Sequence, residues 1–140
     1  MIPVVRADRS RWDLVVPITL AAIAGFVDTV GFTRVFGVFP ANQSGNVIFF
    51  GMALGGSPGV PPAWRSGLAI VSFAVGTGVG LVIARRVGAR RRHSVLLAVE
   101  FALLSALAIV AGPITDAAPA GGLSAVLLVL AGVAMGVQPT

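Results

Sequence analysis

Apolar residues gather along this chain in blocks that polar residues seldom interrupt, and the blocks fall at Leu14 to Phe32, Val35 to Leu54, Gly67 to Ala84, Ser94 to Gly112 and Gly122 to Val137. Four of them read as spanning helices, for which roughly 17–25 residues are needed, the last, Gly122 to Val137, falling just short of that length. The second block differs. In "VFGVFPANQSGNVIFFG", Val35 to Gly51, the residues Asn42, Gln43, Ser44 and Asn46 form a polar knot between apolar flanks too short to span alone. The blocks are separated by breaker-rich stretches, "GGSPGVPP" at 55–62, "RRVGARRRH" at 85–93 and "GPITDAAPAGG" at 112–122, which read as loops too short for a water-soluble domain. The pattern predicts an all-α integral membrane protein, a single domain over 1–140 with about four transmembrane helices plus one short re-entrant or broken helix.

The knot has a physical reading, because irregular backbone at membrane depth is tolerated only when buried in protein or facing a wet cavity. Pro40 stops what precedes it, and Ser44 is a suitable N-cap, so Gly45 to Leu54 is expected as a half-helix of roughly 15 Å. The N–H groups of Gly45, Asn46 and Val47 at its positive end would then suit an anion or a carbonyl oxygen. Broken helices of this kind form substrate sites in secondary transporters. Asn42, Ser44, Gly45 and Asn46 are therefore substrate-binding candidates, and an ordinary extramembrane loop is the competing interpretation.

Composition agrees with the membrane class: 56% of residues are hydrophobic and 11% charged, with a mean hydropathy of +0.97, outside the range of a soluble domain. The absence of Cys removes thiolate metal sites and cysteine nucleophiles. No nucleophile–base pair, metal cluster or phosphate loop is evident, so neither an enzyme nor a metal or cofactor is expected. The net charge of +5 rests on ten Arg, few enough that they speak to topology rather than nucleic acid. If the knotted segment dips in and returns, Arg6, Arg9, Arg11 and the five Arg of 85–92 share one side, leaving Arg34 and Arg65 on the other. By the positive-inside rule the N-terminal tail, 1–13, is then cytoplasmic, in a multi-pass protein of the inner (plasma) membrane. The start of the chain also imitates a secretory signal ending at Ala22-Ile23-Ala24, but its apolar run continues to Phe32. His93, beside three Arg, is expected at the headgroup level.

Two acids fall inside predicted spans, Asp28 and Glu100. An intramembrane carboxylate is costly and marks function by default, so both are possible proton carriers, with Asp28 also a candidate at the substrate site. The alternative is that each only ties helices together. Their estimated depths, roughly 21 Å and 9 Å above the starts of their spans, argue against a direct pair. Ser72, Gly76, Gly80 and Ala84 recur every fourth residue and predict a close helix-packing face. "VGTGVG" at 75–80 lacks the Lys-Ser/Thr of a nucleotide loop and belongs to that face.

"AGFVDTVGF" at 24–32 followed by "VFPANQSGN" at 38–46 resembles the YoaK family of bacterial multi-span membrane proteins, a family of unknown function, through Gly25, Asp28, Phe32, Asn42, Gly45 and Asn46. "AGVAMGVQ" at 131–138 looks like a later segment of the same family. Its usual residues at positions 43 and 44 are Met and Thr; Ser44 keeps the capping chemistry, while Gln43 adds a polar group to which the sequence assigns no role. The resemblance implies a longer chain, with residues 14–112 as a first repeat-like unit and 122–140 as the start of an incomplete, inverted second one. It supplies no substrate. The expectation is a small-solute transporter or permease, anion- or proton-linked, in which a homo-oligomer or a second chain covers the broken helix within the lipid bilayer. A membrane scaffold or helper subunit, or an inactive truncated product, is the alternative.

Overall fold

The computed structural model describes residues 12–111 and 122–138; the N-terminal tail with Arg6, Arg9 and Arg11, and most of the 112–122 connection, lie outside them. The described residues form five α-helices: α1 Trp12–Val30, α2 Gln43–Leu54, α3 Ala63–Arg86, α4 Ala89–Ala111 and α5 Gly122–Val137, with a π-helical segment, Gly31–Phe36, continuing α1. Leu14–Phe36, α3 and α4 are each long and apolar enough to cross a membrane, and α5 is a shorter apolar helix of 16 residues. The protein is an all-helical membrane protein.

Two boundaries depart from expectation. The first span runs on through Phe36 as a widened π turn and ends only at Gly37, whose φ of 69° few other residues adopt. The 85–93 stretch is not a loop, because Arg is a good helix former and only Val87 and Gly88 separate α3 from α4. Arg85 and Arg86 therefore lie in the last turn of α3, where positive charge suits the helix dipole, and Arg90 to His93 in the first turns of α4.

Hydrogen bonds and ring contacts set the path of the chain. After Gly37 it turns back along the π-helical segment until the Ala41 N–H meets Asp28, two turns before the end of that segment. It reverses again into α2, which climbs beside the end of α1 and places Phe49 against Phe32. α3 then descends antiparallel to α2, with Gly67 against the Phe50 ring and Arg65 Nη1 donating to the Phe36 carbonyl at 2.9 Å. The segment 37–54 thus begins and ends at the same end of the bundle, with the 12 residues of α2, about 18 Å long, as its returning arm.

α5 is the centre of the molecule, with nine of its residues buried, as suits a helix apolar on every face. It runs parallel to α3: Gly132 meets Ser72, Gly136 meets Phe73, Gly76 and Thr77, and Val137 meets Gly80. A Cβ at Gly76 would overlap the Val133 carbonyl, and one at Gly136 the Phe73 carbonyl. Ser72, Gly76 and Gly80 are buried in this contact, while Ala84, one turn on, is half-buried at the edge of a cleft. α4 packs on α5 as well. α1 is the loosest element, with Ile18 67% and Phe26 70% exposed, and polar contacts at Leu20 and Asp28 tie it to the rest.

The close approach of α3 and α5 predicts opposite outcomes for two neighbouring glycines. Gly76→Ala should destabilise the protein by about 1–3 kcal/mol through overpacking. Gly78→Ala, with no atom within 4 Å of its new methyl, should be neutral or stabilising by up to about 1 kcal/mol. Unfolding of the purified protein in detergent, followed by circular dichroism, measures both.

Candidate functional site

The re-entrant turn brings together the residues singled out in the sequence, and most of their polar atoms are spent on one another. Asn46 has no exposed surface. Its Oδ1 accepts from the Phe39 N–H at 2.9 Å, and its Nδ2 donates to the Phe39 carbonyl at 2.6 Å and to Gln43 Oε1 at 3.0 Å. One side-chain amide thus pairs with both backbone groups of a residue in a non-helical stretch. Gln43 Nε2 donates to the Pro40 carbonyl at 3.0 Å, which gives the residue left without a role a clear one. Asp28 Oδ1 accepts from the Ala41 N–H at 2.7 Å.

The cap differs from expectation. Asn42, not Ser44, precedes the helix, its Oδ1 accepting from the Gly45 N–H at 3.2 Å, and α2 begins at Gln43 rather than Gly45. Asn outranks or equals Ser at this position, and starting earlier gives the helix another half turn. Two of the three N–H groups expected to be free are therefore occupied, that of Gly45 by the Asn42 side chain and that of Asn46 by the Asn42 carbonyl at 3.4 Å. Asn42 and Ser44 keep exposed side chains, whereas Gly45 lies under the Phe39 ring, where a Cβ would come within 2.7 Å. Phe39 stacks on Phe32 at 4.7 Å between centroids, and Phe49 lies 5.8 Å from each.

Glu100 belongs to a different place. It is buried on α4, where its Oε1 accepts from Gln138 Nε2 at 3.1 Å; the same nitrogen donates to the Leu20 carbonyl of α1 at 3.2 Å. Gln138 was not legible as a site residue, since it lies at the end of an apolar helix with no patterned neighbour. Its signal was the amide itself, following sixteen residues that carry a single polar side chain, Ser124.

A cleft of about 530 Å³ links these features. It is lined by Ala24 and Ala41 at one end, by Thr77 and Gln138 along its wall, and by Arg92 and His93 at the end where α3 and α4 carry their Arg. His93 thus lines a cleft as well as standing beside the Arg cluster. Among the described residues no three of His, Asp and Glu come together as metal ligands.

These contacts rank the polar residues of the turn by cost. Asn46→Leu leaves the Phe39 N–H and carbonyl without partners in an apolar interior and should cost about 1–3 kcal/mol for each orphaned group. Asn42→Ala should cost about 1 kcal/mol as a lost cap, and Ser44→Ala less than about 0.5 kcal/mol. Equilibrium unfolding in mixed micelles measures the order; a Ser44 effect equal to that of Asn42 would contradict the observed cap.

Comparison with known proteins returns one family. No curated protein and no solved structure matches the chain. The family model described as "Protein of unknown function (DUF1275)" matches residues 16–140, a stretch that takes in most of α1, the re-entrant turn and the Gln138 segment. The YoaK-like motifs, the helical membrane architecture and this match agree, and the chain belongs to the DUF1275 family.

Proposed function

We propose that the protein is a small-solute permease of the bacterial inner membrane, whose substrate site is the base of the re-entrant helix α2. Asn42 and Ser44 offer polar side chains there, Gly45 and Asn46 shape the turn, and Asp28 fixes it. One observation carries this reading: the cleft that starts beside Ala41, at the foot of the turn, runs to Arg92 and His93 at the far end of the bundle. A re-entrant segment meeting an open cleft is a route half-way across a membrane. The positive-inside rule assigns the Arg85–Arg92 end to the cytoplasm, together with the start of α1, so the cleft is the cytoplasmic half of the route. The exposed Asn42 and Ser44 side chains need polar cover in lipid, which a second copy of the chain or a second subunit would supply.

A second reading has its own support. Asn46, Gln43 and Asp28 all hydrogen-bond within the turn, which suits a scaffold that only packs helices.

Transport separates the two. Thr77 lies on the cleft wall, and its hydroxyl bonds only the Phe73 carbonyl of its own helix. Thr77→Trp should therefore plug the cleft and leave the turn intact. In proteoliposomes offered a panel of small anionic, neutral and cationic solutes, the wild-type chain should move at least one class and Thr77→Trp should reduce that flux by about tenfold or more, a barrier increase of about 1.4 kcal/mol. Flux no greater than that of protein-free vesicles would leave the scaffold reading standing. Reporter fusions test the orientation separately: Gly88 should report cytoplasmic and Gly59 extracytoplasmic. A cytoplasmic signal from Gly59 would overturn it.

A further inference from the structure

Glu100 is 3% exposed, and its carboxylate is only half satisfied. Oε1 has the Gln138 amide, while Oε2 is closed off from solvent and has no hydrogen-bond partner among the described residues. Gln138 cannot serve both oxygens: its amide nitrogen carries two hydrogens, one given to Glu100 and one to the Leu20 carbonyl.

Among the described residues, the elements around Glu100 bring no counter-charge. α5 has no titratable side chain, α3 has none from Ser66 to Ala84, and α1 has none from Leu14 to Val27. On α4 itself the nearest charged or titratable groups are His93 and Arg92, seven and eight residues earlier, about 10–12 Å away along the helix. Asp28 lies eight residues past Leu20 on α1 and is engaged with Ala41. A bare carboxylate here would carry a large cost of desolvation with only the Gln138 bond to offset it. A calcium or magnesium ion takes six or more oxygen ligands, of which one carboxylate, one amide and one carbonyl provide few. A proton needs only the free oxygen.

The cleft reaches the residues beside Glu100, although Glu100 itself does not line it. Arg92, Leu96 and Glu100 recur at four-residue spacing and share a face of α4. Arg92, His93 and Leu96 line the cleft, and so does Gln138, the hydrogen-bond partner of Glu100.

We propose that Glu100 Oε2 is a proton-binding site loaded from this cleft. Hydronium entering past His93 reaches Oε2 when the Leu96 and Gln138 side chains between it and the cleft part, transfers its proton and leaves as water, giving a neutral acid; release is the reverse. Loading removes the charge from the acceptor of the Gln138 bond, and neutral bonds are weaker than charge-assisted ones. The amide that joins α4, α5 and α1 thus holds less firmly in the protonated state, which links proton occupancy to the seating of α1. The inference deepens the permease reading by naming the coupling ion, and rests on that reading for this use alone.

Glu100 is the only glutamate in the sequence, so its carboxyl signal is assigned without a mutation. The full chain, produced with glutamate labelled with carbon-13 at the side-chain carboxyl and placed in lipid nanodiscs, is titrated by NMR; label reaching Gln43 or Gln138 sits on amides that do not titrate. The expected result is a single-step transition of one proton per chain, in sodium-free buffer, with proton affinity raised roughly tenfold in Gln138→Leu for the lost bond to the charged form. A carboxyl signal fixed in one state from about pH 4 to about pH 10, spanning the ordinary range of side-chain carboxyl and amine titration, would overturn the proposal. So would a transition that appears only when sodium is added, or one that Gln138→Leu leaves unmoved. Flux assays keep the two proposals apart. A titrating Glu100 in a chain that moves no solute overturns the permease and leaves the proton site, while solute flux indifferent to a proton gradient and to Glu100→Gln overturns the coupling and leaves the permease.

Discussion

The amide of Asn46 is the contact on which the rest of the structure depends. A chain that turns back inside a membrane exposes peptide groups where no water can pair with them, and each unpaired group costs several kcal/mol. Asn46 answers with a side chain that has the same donor and acceptor as a peptide, bonded to both the N–H and the carbonyl of Phe39. With Phe39 held, its ring can stack on Phe32 and cover Gly45, which leaves no room for a larger residue at that position. With α2 held upright, Phe50 meets Gly67 of α3, and α3 in turn carries the glycine face on which α5 sits. A local hydrogen bond thus sets the position of the central helix pair.

The α3–α5 contact obeys a different constraint. Lipid tails are as apolar as leucine, so helices gain little in a membrane by hiding hydrophobic side chains, and packing depends on how near the backbones can come. Gly76, Gly132 and Gly136 permit that approach, since a Cβ at any of them would lie within 3 Å of a neighbouring atom. Tight packing at α5 contrasts with the loose seating of α1, whose large side chains Ile18 and Phe26 face outward. The polar ties to α1, at Asp28 and at Leu20, consequently carry a larger share of its attachment than hydrogen bonds carry elsewhere in the bundle.

Much of this was legible in the sequence. Hydropathy placed the long helices because spanning segments leave a strong periodic-free apolar signal, and the interruption at residues 42–46 marked the re-entrant turn because polar residues in such a setting require a reason. The four-residue spacing of Ser72, Gly76 and Gly80 lies on the face that meets α5. What could not be read were choices among near-equal local options. Asn42 and Ser44 are both good caps, and Asn42 precedes the helix because its side chain reaches Gly45 while Asn46 and Gln43 close the turn behind it. The end of the first span was invisible because a π turn has no composition of its own. Gln138 was hidden for another reason: its partners, Leu20 and Glu100, are 118 and 38 residues away, and no local pattern encodes contacts at that separation.

The two membrane carboxylates show how the same group acquires different chemistry from its neighbours. Asp28 faces the backbone N–H of Ala41 in a non-helical turn, so its charge is useful to the fold: it accepts from Ala41 and anchors the returning chain. Removing the side chain would leave a peptide group short of an acceptor, and removing the charge would weaken the bond. Glu100 faces helices whose backbone is already paired, so among the described residues the one donor to it is the shared amide of Gln138, and one carboxylate oxygen is left over. Its charge stabilises little and costs much. A carboxylate required by a turn is suited to holding structure, whereas one that its surroundings barely satisfy is suited to exchanging its proton. That difference separates the anchoring of the re-entrant turn from the proton site proposed on α4, although both rest on a single acid in an apolar helix.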